Sequence, residues 1–113
     1  MRLKLYISFL LICLCAISSS AQIDSSKFRK AQEAFEGFSY NKALKIYASL
    51  ENESIDTKRN TALSLWRTGE PEKAEPIFHE IVNSKGHTAE DIYDYASLLQ
   101  VLSKYEMAES WMR

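Results

Sequence analysis

The sequence predicts an all-α protein, a helical-hairpin solenoid of two full repeats and a truncated third, and three observations carry that expectation. Alanines twelve positions apart occur three times, as Ala31 with Ala43, Ala62 with Ala74, and Ala96 with Ala108. Each second alanine is followed four residues later by a bulky apolar side chain, Tyr47, Phe78 or Met112. The three units start 31 and then 34 residues apart, a period at which one supersecondary unit is written repeatedly and stacked.

The spacing has a steric origin. Two antiparallel helices cross closely only where neither side chain exceeds a methyl group, and alanine meets that need without the entropic cost of glycine. The bulky residue one turn further lies on the same helix face, where it fills the space between its own hairpin and the next.

Residues 1–21 read as a cleavable secretory signal peptide. Met1, Arg2 and Lys4 supply a positive start, Leu5 to Ile17 is almost wholly apolar, and Ser19 and Ala21 provide small residues before Gln22. The apolar run is shorter than the ~20 residues that span a bilayer, so no membrane insertion is expected after cleavage. Both cysteines, Cys13 and Cys15, fall inside the leader, which leaves residues 22–113 without a disulfide or a thiolate metal site. Losing Arg2 and Lys4 takes the basic residues from 14 to 12 against 15 acidic ones, a net charge of −3. That balance does not favour nucleic acid or an anionic membrane as a partner.

The first repeat covers about residues 24–54. Its first helix runs from Ser25 to Glu36 with Phe28, Ala31, Ala34, Phe35 and Phe38 on one stripe and Asp24 or Ser25 as N-cap. Gly37 to Tyr40 makes the turn, and Asn41 to Leu50 returns with Ala43, Leu44, Tyr47 and Leu50 inward. The second repeat covers about residues 55–87, opening near Asp56-Thr57 with Ala62, Leu65 and Trp66 on its stripe. After Thr68-Gly69-Glu70, Pro71 suits the first turn of the returning helix, which carries Ala74, Ile77, Phe78, Ile81 and Val82 and stops at Gly86. Pro76 lies several residues into that helix and removes one backbone hydrogen bond, so a local kink or a delayed start is expected there.

The third repeat covers residues 88–113. Thr88 to Asp91 forms a capping box ahead of Ile92, Ala96, Leu99 and Leu102. Ser103-Lys104-Tyr105 turns the chain, and Met107, Ala108, Trp111 and Met112 follow on a returning helix. That helix reaches only about two turns before Arg113, which reads as the N-terminal fragment of a longer protein. Ala96, Leu99 and Met112 are then expected to lack cover.

These residues resemble a tetratricopeptide repeat array, with small residues at the helix crossings, Gly69 at a hairpin turn, and Tyr40, Pro71 and Tyr105 opening the second helices. The leader ending in Ala21-Gln22, the segments Lys30 to Phe35, Tyr40 to Tyr47 and Glu72 to Glu75, and the segments Glu90 to Ala96 and Ala108 to Met112 are similar to one bacterial group. These are OmpA-family cell-envelope proteins of Gram-negative bacteria, in which a tetratricopeptide region precedes a β-propeller-like domain and an OmpA-like peptidoglycan-binding domain. Some serve type IX secretion. The resemblance implies a location in the periplasm or at the outer membrane, with peptidoglycan reached only through domains that residues 22–113 do not contain.

A solenoid works by binding, because the first helices of successive hairpins line a concave surface that receives a peptide or another domain. In this register that surface includes Phe28, Gln32, Phe35 and Glu36, then Arg59, Leu63, Trp66 and Arg67, then Tyr93, Ser97 and Gln100. Arg59, Trp66, Arg67 and Tyr93 belong to the residue types that dominate binding hot spots and are the candidate partner-binding residues. Phe35 and Trp66 equally suit interior packing, and Arg59 and Arg67 a solvated face.

Catalysis has no constellation to stand on. His79 and His87 lack a third ligand at metal spacing, and the chain has neither a nucleophile elbow nor a glycine-rich phosphate loop, so no enzyme activity, metal or cofactor is expected. Two functions fit: an N-terminal scaffold that tethers envelope machinery to peptidoglycan, or a free-standing periplasmic adaptor with a chaperone-like, peptide-binding role.

Overall fold

The computed structural model describes residues 25–51 and 53–113, so the expected signal peptide, both cysteines and the Asp24 cap lie outside the described residues. Those residues hold six helices and no strand: α1 (25–36), α2 (Tyr40–Ala48), α3 (Ile55–Arg67), α4 (Pro71–Val82), α5 (Ala89–Val101) and α6 (Tyr105–Met112). Successive helices from α2 to α6 pack in chain order. No helix among the described residues is long and apolar enough to cross a membrane.

The alanine pattern is explained by burial. Ala31, Ala43, Ala62, Ala74 and Ala96 are wholly inaccessible and Ala108 nearly so, which is the condition for two backbones to approach at a crossing.

The three turns that close the helix pairs are equivalent. Phe38, Gly69 and Ser103 all adopt positive φ, at 63°, 85° and 61°. In each turn the next residue's amide reaches back five positions: Ser39 N to Ala34 O at 2.8 Å, Glu70 N to Leu65 O at 2.9 Å, and Lys104 N to Leu99 O at 2.8 Å. This is the Schellman-type stop, in which a left-handed residue lets the last carbonyls of a helix find donors. Ser39, Glu70 and Lys104 then offer their own carbonyls to Ala43, Ala74 and Ala108, so the turn and the crossing alanine are joined by a backbone bond in every pair.

Two helix starts, those of α3 and α5, are capped by side chains. Ser54 Oγ accepts from Thr57 N at 3.2 Å and opens α3 at Ile55, so the polar stretch before Asp56-Thr57 supplies a cap as well as a link. Thr88 and Asp91 form the expected capping box, with Thr88 Oγ1 accepting from Asp91 N at 3.2 Å and Asp91 Oδ2 accepting from Thr88 N at 2.9 Å.

The delayed start and the Gly86 stop expected for α4 are corrected. The helix begins at Pro71 and runs through Pro76 without a break or a delayed start. Pro76 and Glu72, whose carbonyl lies one turn earlier and loses its donor, are both exposed, so the unpaired group lies on the solvent side of the helix. The helix also ends before Gly86: Asn83 Nδ2 donates to His79 O at 2.8 Å and Ser84 Oγ to Ile81 O at 2.6 Å, which satisfies its last carbonyls.

Packing divides into two clusters. Ala31, Ala34, Ala43 and Tyr47 form a small core for α1 and α2, supported by Phe28, Phe35, Ile46 and Leu50. A larger core joins α3 to α6, where Phe78 lies between Trp66, edge-on at 6.2 Å, and Tyr95, stacked at 6.5 Å, with Trp111 edge-on to Tyr95 at 5.6 Å. Tyr95 and Leu98 are fully buried although the expected α5 stripe omitted them. Ala96 and Leu99 are also buried, contrary to expectation, because α6 folds back over α5. Met112 remains 52% exposed, whereas the equivalent Tyr47 and Phe78 are at 3% and 0% because a following helix covers them.

Candidate functional site

The helices α3 and α5 are the first members of successive pairs, and side chains from both line one open cleft of about 350 Å³. Leu63, Trp66 and Arg67 come from α3, at positions three and four apart that share a helix face; Tyr93, Asp94 and Ser97 come from α5. Three of the four residues singled out from the sequence, Trp66, Arg67 and Tyr93, therefore meet at one place.

Their surroundings differ. Tyr93 is 63% exposed, and its backbone carbonyl accepts from Ser97 Oγ at 2.8 Å, which ties the two cleft residues of α5 together. Trp66 is half-buried, with its ring edge-on to Phe78 in the core while it also lines the cleft. Packing of that kind fixes the rotamer, so little side-chain entropy remains to be lost when a partner docks. Arg67 leans toward the preceding pair: its guanidinium carbon lies 5.8 Å from the Tyr40 ring centroid and Nη1 donates to Tyr40 Oη at 3.3 Å. Tyr40 is held in turn by Phe35 and Phe38, edge-on at 5.6 and 6.2 Å.

Arg59 does not line the cleft. Its Nε donates to Asp91 Oδ1 at 2.6 Å and Nη2 to Asp91 Oδ2 at 2.7 Å, while Nη1 donates to Asp56 Oδ1 at 2.7 Å. The guanidinium thereby sets the spacing of α3 and α5 on which the cleft depends. Burial on its own would push the Asp91 carboxyl up, but the Arg59 hydrogen bonds and charge, with those from Thr88, hold it below the usual carboxylate range.

Asp94 does not stand out in the sequence, because apolar and aromatic residues mark the helix stripes and it is neither. Its adjacency to Tyr93 in the helix was the available signal. Burial raises its pKa, the nearby Glu90 and Asp91 carboxylates raise it further, and Arg67 and Arg59 oppose them.

The other expected concave residues lie elsewhere. Phe28 packs edge-on to Tyr47 at 6.1 Å, Gln32 pairs with Glu36 on the α1 surface, and the Gln100 amide contacts Met112 Sδ at 3.8 Å. A second depression of about 630 Å³ lies on α1 and α2 among Lys30, Glu33 and Lys42, with no aromatic ring among the described residues that line it.

Both histidines are exposed. His79 contacts Asn83 at 3.4 Å, and His87 Nδ1 donates to Ser84 O at 2.6 Å. Among the described residues no group of three or more His, Cys, Asp or Glu is placed to hold a metal ion. No protein-family model, curated protein or solved structure matches the chain.

Proposed function

We propose that residues 22–113 form a tetratricopeptide-like α-solenoid that docks a protein or peptide partner, as the N-terminal module of an exported OmpA-family cell-envelope protein. The docking reading is carried by one observation: the first helices of two successive pairs contribute Trp66, Arg67 and Tyr93 to a shared cleft. A tryptophan seated on the core, an exposed tyrosine and an arginine at one depression are the composition of an interaction hot spot. The solenoid reading draws support from the three equivalent turns and the six buried alanines, which repeat at the intervals of the sequence.

The module acts as a non-catalytic scaffold. A partner segment lies across α3 and α5, while attachment to peptidoglycan belongs to other domains of such a protein. The signal peptide over residues 1–21 delivers it to the periplasm or the outer membrane.

A photo-activatable cross-linker in place of Tyr93, in the full chain expressed in its native envelope, tests the reading. A discrete adduct that disappears with Arg67→Ala is expected, since Arg67 is exposed and its loss leaves the core intact. Adducts equally abundant from a cross-linker at Lys85, or none from Tyr93, would overturn it.

A further inference from the structure

The chemistry of the cleft also specifies what it receives. This inference rests on the docking function proposed above and concerns the partner's side chain. Among the described residues four acidic residues are at least partly covered: Glu70, Glu75, Asp91 and Asp94. Three of them are matched. Glu70 takes Lys73 Nζ at 2.8 Å, Glu75 takes Tyr95 Oη at 3.1 Å with Lys104 Nζ at 3.8 Å, and Asp91 takes Arg59. Asp94 forms no hydrogen bond or ion pair with any described residue, and it is the only one of the four that lines the cleft.

A half-buried carboxylate without a hydrogen-bonded counter-ion carries a desolvation cost that the fold compensates only in part. Arg59 and Arg67 offset that cost through space without bonding to Asp94, because Arg59 is committed to Asp91 and Asp56 and Arg67 donates to Tyr40. The Glu90 and Asp91 carboxylates act on Asp94 against those two guanidinium groups, so with Asp94 itself three carboxylates face two cations. The cleft walls beside it are Trp66 and Tyr93, whose ring faces attract cations. An aromatic wall next to an unbonded carboxylate complements a cationic side chain, whereas an acidic one placed there would meet the Asp94 charge.

We propose that the cleft between α3 and α5 binds a lysine or arginine side chain of the partner segment, with Asp94 as its counter-ion and Trp66 and Tyr93 as its aromatic walls. Arg67, held on Tyr40, borders the site and excludes a second cation from that end.

The test uses the full chain, observed by NMR at the Trp66 indole N–H with the Trp111 indole as internal control. Three capped peptides of glycine and serine, identical except for arginine, glutamine or glutamate at the centre, are titrated separately. The arginine peptide is expected to shift Trp66 and to bind about tenfold more tightly than the glutamine peptide, with the glutamate peptide weaker still. Asp94→Asn, which breaks no bond in the fold, is expected to abolish that preference. Tightest binding by the glutamate peptide, equal binding by all three, an unaltered preference in Asp94→Asn, or no shift with any peptide would overturn the proposal. If the Tyr93 cross-link forms in the wild-type chain while the wild type shows no preference for the arginine peptide, docking stands and basic selectivity fails.

Discussion

Arg59 and Asp91, 32 positions apart in sequence, form a two-bonded ion pair in which both carboxylate oxygens of a fully buried aspartate are taken by one guanidinium. The same carboxylate closes the capping box with Thr88, so one side chain starts α5 and fastens it to α3. The walls of the cleft come from these two helices, and the pair therefore governs its width.

Removing one partner leaves a buried charge unmatched. Arg59→Ala is expected to cost ~3 kcal/mol in chemical denaturation, and Arg59→Ala with Asp91→Ala to cost less than the two single changes combined. The acid side carries a signature. Because the folded-state pKa of Asp91 lies below its unfolded value, its stabilisation is present above the ordinary carboxylate range and is lost as pH falls through the folded value. Wild-type denaturation midpoints should fall on acidification, with a smaller slope in the double variant.

Ser103 holds a left-handed conformation that its equivalent in the second pair, Gly69, adopts without a Cβ. Ser103→Gly is expected to raise stability by ~0.5 to 1 kcal/mol, and Gly69→Ala to lower it by a similar amount. Thermal unfolding of both variants against wild type measures the pair of effects, and a loss in Ser103→Gly would show that the serine side chain contributes more than the strain it brings.

Tyr95 is buried at the centre of the larger core, and its hydroxyl donates to Glu75. Burial, then the Glu75 charge and hydrogen bond, push its pKa up to about 12. The stabilisation is complete below the ordinary tyrosine value and drains away as pH rises from there toward about 12. Ultraviolet titration should show one tyrosine ionising last, and Tyr95→Phe should flatten the alkaline loss of stability.

What the sequence determined by itself was local and periodic. Paired alanines at a fixed interval require two helices to cross, glycine and proline near Gly69 and Pro71 require a turn between them, and Thr88 with Asp91 requires a helix to begin, because each effect acts within a few residues. Trp66, Arg67 and Tyr93 stood out for the same reason, since residue type and helical register are both written in the chain. Only the tertiary structure decided what those side chains meet. Arg59 and Tyr93 were equal candidates on paper, and the approach of α5 brought a buried carboxylate to one and left the other in the open. The unbroken passage of α4 through Pro76 had the same origin, because solvent access to a particular carbonyl is a property of the packed molecule. Asp94 became conspicuous only when its neighbours were known, since a counter-ion comes from residues distant in sequence and its absence has no local sign.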